Sequence, residues 1–570
     1  MASRFAATLT LCLLAACAKS TVPTETALSQ KANTLVQTDA GPVIGGVSEN
    51  SARTWLGIPY AKPPVGELRW RPTEAAEPWQ TAVTALEHAN WCPQLTNGLD
   101  GLFGMPKGEL HGNEDCLYLD VYAPSGSTAD SDLPVMFWIH GGSNVWGRAE
   151  QYDGSKLAES GQVVVVVVQY RLGPLGWFAH PALEDGIANF ALLDLVQALQ
   201  WTKNNIQKFG GNPDAVTLLG ESAGANNVLG LLAMPKADGL YRAAIAQSGL
   251  PASAPLSLSR DGLDDRVTGA IPAARSFTDK ESPKAEDLRS APLVKIFEAY
   301  SSGLTPAVIR DGKTLPDLPL DDAVAQHQSG RDVPIILGSN RDEAKYLLAF
   351  DPNMTKKALL LFPKAKDKAY YNAMSYYMTG VWRTIGVTDF AEKLVEHDAG
   401  PVRTYRFDWD EEAKVGMSDL GQLIGAAHSI EIPFVFGHFE NFLGKLDKRL
   451  FTKSNADGRQ AVSHAMMSCW TQFAHGDALG STTGDCPAWP TIEANRPQTT
   501  MIFDTPSDGG SRMETGTLSV SKLTAEMKAD PVLQKNNRAC GLSKRLVQAF
   551  GLVRLEMEND LKDVCPADEL

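Results

Sequence analysis

Six consecutive valines at 163–168 constrain this chain more than any other feature. A β-branched run without alternation suits a strand buried on both faces, as in the parallel sheet of an α/β protein. The runs at 133–139, 215–219 and 333–337 read the same way, ending in His140-Gly141-Gly142, Gly220 and Gly338-Ser339-Asn340. Between the valines and the third run lies a helical pattern over 189–209. Leu193, Val196, Leu199 and Ile206 recur there at helical spacing, and Gly210-Gly211 ends it. Strand, helix, strand, turn, helix predicts a doubly wound α/β domain with a large, mostly parallel central sheet covered by helices. Residues 38–570 are read as this single domain, and the longer helical patterns from about 340 to 470 as insertions capping the sheet.

The net charge of −15 over 570 residues opposes nucleic-acid binding, which needs a basic face to displace counterions. It equally opposes a polybasic grip on anionic lipid. Arg4 precedes an apolar stretch, 5–16, too short to span a bilayer and shaped like a secretory signal. Leu14-Ala15-Ala16-Cys17 resembles a bacterial lipobox. Residues 1–17 are therefore expected to be a lipoprotein signal, with Cys17 lipidated and 18–37 a flexible membrane tether. An ordinary signal cut near Ala18 is the alternative. The expected location is the periplasm or outer membrane with the lipid, and the exterior without it. Beyond the signal lie Cys92, Cys116, Cys469, Cys486, Cys540 and Cys565. An even number in an exported chain favours disulfides. Nearest-neighbour pairing gives 92–116, 469–486 and 540–565, although sequence alone leaves connectivity open. No Cys-x-x-Cys or His-x-x-x-His spacing supports a metal site.

Gly220-Glu221-Ser222-Ala223-Gly224 carries the chemistry. A serine hydroxyl is a weak nucleophile unless a base takes its proton and donors hold the oxyanion. Gly-x-Ser-x-Gly places serine on a tight strand-to-helix turn, where glycines leave room for the close helix. Residues 215–219 precede it as a strand, and 223–234 can follow as a helix. By itself the pentapeptide also fits a glycine-rich turn. His140-Gly141-Gly142-Ser143 argues against that, because an oxyanion hole draws backbone N–H groups from such a segment. Each donor is worth roughly 3–4 kcal/mol of barrier. The base must be a histidine whose tautomer an acid holds, and in α/β-hydrolases the order is Ser, acid, His. His397, His428, His438, His464 and His475 lie far enough along. His428 sits in a small-residue loop, Gly425-Ala426-Ala427-His428-Ser429, able to approach a site closely, whereas His397 reads as solvated. Asp342 and Glu343 both follow the strand at 333–337, and the choice between them stays open. Glu221 either adds charge that favours an imidazolium or is a surface carboxylate.

Five ordered segments resemble the type-B carboxylesterase and cholinesterase family, over residues 43–490. They are Gly57-Ile58-Pro59-Tyr60-Ala61-Lys62-Pro63-Pro64 leading to Leu68-Arg69-Trp70, Glu114-Asp115-Cys116-Leu117-Tyr118-Leu119, the glycine segment at 140, Tyr170-Arg171-Leu172-Gly173, and Phe209-Gly210-Gly211-Asn212-Pro213 before the serine. The resemblance implies an α/β-hydrolase fold. It implies Ser222 as nucleophile, Glu343 as acid and His428 as base, with Gly142, Ser143 and Ala223 as oxyanion donors. It further implies a Cys92–Cys116 disulfide beside the active-site gorge and a structural Arg69–Glu114 ion pair. The implied activity is serine carboxylesterase, hydrolysing a small-molecule ester through an acyl-enzyme without cofactor or metal. A lipase on longer-chain esters and a non-catalytic binding or adhesion domain are the alternatives. Three positions depart from the family. Ser143 replaces a frequent third glycine, and Asp120 replaces the usual Asn. No Trp lies between Cys92 and Cys116, where cholinesterases hold a quaternary ammonium by cation–π attraction. Phe103 is the weaker candidate there, so a general carboxylesterase is expected.

Overall fold

In a computed structural model the valine run forms an interior strand of the main sheet. The described residues are 34–566 apart from 99, 184, 265, 302, 358–362, 416–417, 478, 481–485, 495, 497, 517 and 552–556. The signal segment and Cys17 lie outside them. Leu35–Gln37 is already a strand, paired antiparallel with Pro42–Ile44. Val36 is buried, and the indole N–H of Trp55 donates to the carbonyl of Thr34 at 2.7 Å. The end of the stretch expected as tether, 18–37, is therefore packed into the fold.

Eleven strands among the described residues form the central sheet. In chain order they are β1 Gly46–Val47, β2 Arg53–Pro59, β3 Tyr118–Ala123, β4 Leu133–Ile139, β5 Val164–Val168, β6 Gly211–Glu221, β7 Ala243–Gln247, β8 Ile335–Asn340, β9 Val402–Phe407, β10 Thr499–Phe503 and β11 Arg512–Thr515. They lie in the order β11-β10-β9-β8-β7-β6-β4-β5-β3-β2-β1. β4 to β10 run parallel. Antiparallel strands close both edges. Helices bearing on the site are α1 Phe190–Asn205, α2 Ala223–Leu232, α3 Lys345–Ala349, α4 Lys368–Arg383, α5 Ala456–His475, α6 Val520–Ala529 and α7 Arg538–Phe550.

The valines explain the layering. Val164, Val166 and Val168 point into one apolar layer with Leu195 and Leu199 of α1 and Val228 of α2. Val163, Val165 and Val167 point into the opposite layer with Met466 and Trp470 of α5. A strand covered on both faces has no polar side to alternate with. α1 ends in a 3₁₀ turn, and Gly210 closes it at φ 101°.

The capping segment contains α3, α4 and a π-helical turn, Thr384–Thr388. It also contains β9, which the expectation of helical insertions over 340–470 passed over. Arg403 and Arg406 interrupt its apolar pattern, but both are satisfied. Arg406 pairs with Asp408 at 2.6 Å and Arg403 donates to the carbonyl of Trp489 at 2.8 Å. Disulfides join Cys92 to Cys116, Cys469 to Cys486 and Cys540 to Cys565, the nearest-neighbour pairing. Arg69 and Glu114 form the bidentate buried pair, with both contacts at 2.6 Å. Asp120 has its own partners, accepting the N–H of Gly57 and meeting His88 Nδ1, each at 2.7 Å.

Candidate active site

β6 and α2 meet at Ser222, whose backbone is left-handed at φ 57°, ψ −124°. A β-to-α turn this tight leaves no room for flanking side chains. A Cβ on Gly224 would lie 2.1 Å from the carbonyl of Ile139, and one on Gly220 would lie 2.6 Å from Gly224. The strained turn is held by main-chain bonds, from Ser222 N to the carbonyl of Gln247 at 2.9 Å and from Asn226 N to the carbonyl of Ser222 at 3.1 Å.

The segment after β4 closes against this turn. A Cβ on Gly141 would come within 3.1 Å of Ser222 Cβ, and Gly142 sits at φ 97° with Ser143 at φ 54°. Tyr170 Oη donates to the carbonyl of His140 at 2.7 Å and bonds Asn144 Oδ1, tying the loop to the end of β5. The N–H groups of Gly142, Ser143 and Ala223 have no acceptor among the described residues. Gly142, Ser143 and Ser222 line a cavity of about 230 Å³ together with Glu343 and His428.

Glu343 follows β8 and His428 lies in the small-residue loop after β9. Glu343 Oε2 accepts from His428 Nδ1 at 2.7 Å, while its Oε1 accepts the N–H of Asn340 at 2.7 Å. Asp342 turns away to Arg341 at 3.1 Å and Lys345 at 3.2 Å, so it is the neighbour and not the partner. His397, His464 and His475 are exposed, and His438 is half-buried away from the cavity. Nε2 of His428 faces Glu221 Oε1 at 3.3 Å, and no hydrogen bond joins it to the hydroxyl of Ser222. Such contacts commonly tighten only when substrate is bound.

Glu221 is buried, not a surface carboxylate, and also accepts from Ser429 Oγ at 2.7 Å. A further carboxylate went unrecognised: Glu431, wholly buried, accepts from Asn340 Nδ2 at 2.5 Å and faces Ser248 Oγ at 3.4 Å. Its position in Ile430-Glu431-Ile432-Pro433-Phe434, an acid inside an apolar run, was the available signal. Burial disfavours charge on His428, but Glu221 and Glu343 outweigh it and push its pKa up to about 9. Burial also raises Glu221, against the pull of His428 and Ser429. Burial and the charges of Glu221 and Glu343 push Glu431 up to about 8. His140 is driven down to about 4, first by burial, and packs as a neutral ring 4.5 Å from Tyr170.

Most of the remaining lining is apolar, including Trp146, Tyr346, Phe350, Trp382, Phe442 and Leu450, with Asp100, Gln151 and Lys345 as polar exceptions. Phe103 lines it too, but the guanidinium of Arg148 already lies 5.4 Å over its ring and 4.0 Å over Trp91. Arg148 is neutralised by Asp100 at 3.0 Å and Glu150 at 2.6 Å. Among the described residues, the carboxylates close enough to share a cation are those of Asp410, Glu411 and Asp508, and none lines the cavity.

A serine on a left-handed strand-to-helix turn, sharing a cavity with a carboxylate–histidine pair from later loops of a mostly parallel sheet, defines an α/β-hydrolase. The model of the carboxylesterase family matches residues 32–359 and 353–519, and the chain belongs to that family. It is 33% identical to a para-nitrobenzyl esterase of Bacillus subtilis (strain 168) over 493 residues, covering 82% of this chain and 94% of that protein. Carboxylesterase 1C of Rattus norvegicus is 35% identical over 507 residues, covering 80% and 87%. The solved carboxylesterase EST55 of Geobacillus stearothermophilus superposes with a TM-score of 0.65 at 28% identity, covering 86% of this chain and 99% of its own.

Proposed function

We propose that this carboxylesterase works through Ser222, His428 and Glu343. The 2.7 Å contact between Glu343 and His428, in one cavity with Ser222, carries the reading. The proton of Ser222 Oγ passes to His428 Nε2 as Oγ attacks the ester carbonyl. The oxyanion rests on the N–H groups of Gly142, Ser143 and Ala223. The carbon–alkoxide bond breaks, and the alcohol leaves with the proton from Nε2. Water, deprotonated by Nε2, then attacks the acyl carbonyl, and Ser222 departs with that proton. Glu343 holds Nδ1 protonated throughout and stabilises the imidazolium.

The substrates are neutral esters with apolar groups. The mostly apolar lining supports this, and the face of Phe103, the candidate for holding a quaternary ammonium, already lies under Arg148. Ser222→Ala is expected to lower turnover of an aryl acetate by roughly 10³–10⁶-fold with the unfolding transition unchanged. Full activity in that variant would overturn the mechanism. We also propose export, with residues 1–17 as signal and Cys17 lipidated. Three formed disulfides support an oxidising compartment, and the mass of the mature N-terminus is the test.

A further inference from the structure

The match to the family ends at residue 519, yet the chain beyond it folds against the wall of the active-site cavity. Leu523 of α6 fills the space beside Gly380 of α4, where a Cβ would come within 2.8 Å of it. Arg538 pairs with Asp367 at the start of α4 at 2.7 Å, and Tyr377 Oη donates to Asp530 at 3.1 Å. Arg545 pairs with Asp351 at 2.5 Å, one residue beyond the cavity-lining Phe350. The Cys540–Cys565 disulfide closes the segment on itself.

At the end of α7, Phe550 is buried with its ring 6.1 Å from that of Trp382, edge-on at 81°. Trp382 in turn lies 4.9 Å from the imidazole of His428 and lines the cavity. Trp382 stands in the last turn of α4, where the backbone passes into the π-helical turn Thr384–Thr388. Such irregular turns recur at functional sites. The hydrogen bond to Glu343 fixes Nδ1 of His428 at one point, so the rotation of the ring about it is limited by its neighbours Trp382 at 4.9 Å and Tyr346 at 5.9 Å. A small rotation decides whether Nε2 faces Glu221, as it does here at 3.3 Å, or Ser222.

We propose that the C-terminal segment is a positioning element of the active site: Phe550, acting through Trp382, limits the swing of the His428 imidazole. This rests on His428 being the base. The segment does no chemistry. Phe550 is a positioning residue, and its effect on the imidazole passes through Trp382.

The test uses the full-length protein with Phe550→Ala, Trp382→Ala and the double variant. Active sites are counted with a fluorophosphonate, and kcat per counted site and KM are measured on p-nitrophenyl acetate. Phe550→Ala should lower per-site kcat by about tenfold and leave KM within about twofold. In the Trp382→Ala background the same change should do nothing more. Phe550→Met keeps volume without the ring, so it tests the same point if the alanine variant fails to fold, and it too must lower per-site kcat. A purely structural role would lower the melting temperature or the number of titratable sites while leaving per-site kcat alone, and that result overturns the proposal. So does full additivity in the double variant. If Ser222→Ala retains turnover, the catalytic reading fails instead.

Discussion

Glu221 is the residue whose surroundings most change what its neighbour can do. It is buried beside Ser222, bonded to Ser429, and 3.3 Å from the nitrogen of His428 that receives the proton in the proposed mechanism. In the mechanism we propose, its charge stabilises the imidazolium formed in each step, and it also favours the protonated form of the resting imidazole. With the pKa of His428 pushed up to about 9, the neutral base becomes available only as pH rises. Glu221→Gln removes the largest of the carboxylate charges that outweigh burial, so that pKa must fall. The acid limb of kcat/KM should therefore move down, toward the ordinary histidine value of about 6.5. The plateau above it should drop by about tenfold, because the imidazolium of the transition state loses the same charge. A pH–rate profile on a neutral aryl ester reads both. An unmoved acid limb would show that Glu221 does not sense His428. Sequence alone placed Glu221 beside the serine but could not decide between burial and exposure, because burial depends on Ser429 arriving from 208 residues away.

At the scale of elements, the elbow between β6 and α2 is where local sequence and tertiary geometry agree most closely. Gly224 is required because α2 starts against the end of β4, leaving 2.1 Å between a would-be Cβ and the carbonyl of Ile139. Gly224→Ala must push α2 off the sheet. A cost of about 1–3 kcal/mol in urea unfolding is expected, together with slower acylation of Ser222 in the folded fraction. Normal stability with a normal acylation rate would mean that the turn has slack it does not show. The elbow, the glycine segment after β4 and the buried strands were legible because each is specified by residues adjacent in the chain. β9 was not, since its arginines look polar until Asp408 and Trp489 are placed beside them. Asp342 and Glu343 were equivalent by position alone; the family resemblance pointed to Glu343, and the side-chain directions agree with it. The contact of Trp382 with His428 joins residues from separate insertions, and no local pattern encodes such a meeting.

For the whole molecule, the chemistry and the cavity wall have different origins. Ser222 and Glu343 follow strands of the sheet, which both apolar layers hold rigid, and His428 is brought to them from the loop beyond β9 by its bond to Glu343. The wall comes largely from excursions off the sheet, and disulfides close two of those excursions or their supports. Cys92–Cys116 closes the loop that supplies Asp100 and Phe103, while Cys540–Cys565 closes the segment packed on α4. This division predicts that removing the first disulfide harms selectivity more than reactivity. In the Cys92→Ser, Cys116→Ser variant, opening a crosslink of sequence separation 24 should cost about 2–4 kcal/mol in urea unfolding. Below the unfolding transition Ser222 and Glu343 remain at their strand ends with His428 bonded to Glu343, so kcat on an acetyl ester should stay within about threefold. Esters with bulky apolar groups are expected to extend to Phe103 on the cavity wall, and their KM should rise by about tenfold as that wall loosens. A panel of esters graded in size, measured beside the unfolding curve, separates the two effects. Equal losses on small and bulky esters would mean that the loop and the sheet act as one rigid unit, and that the wall is not separable from the catalytic frame.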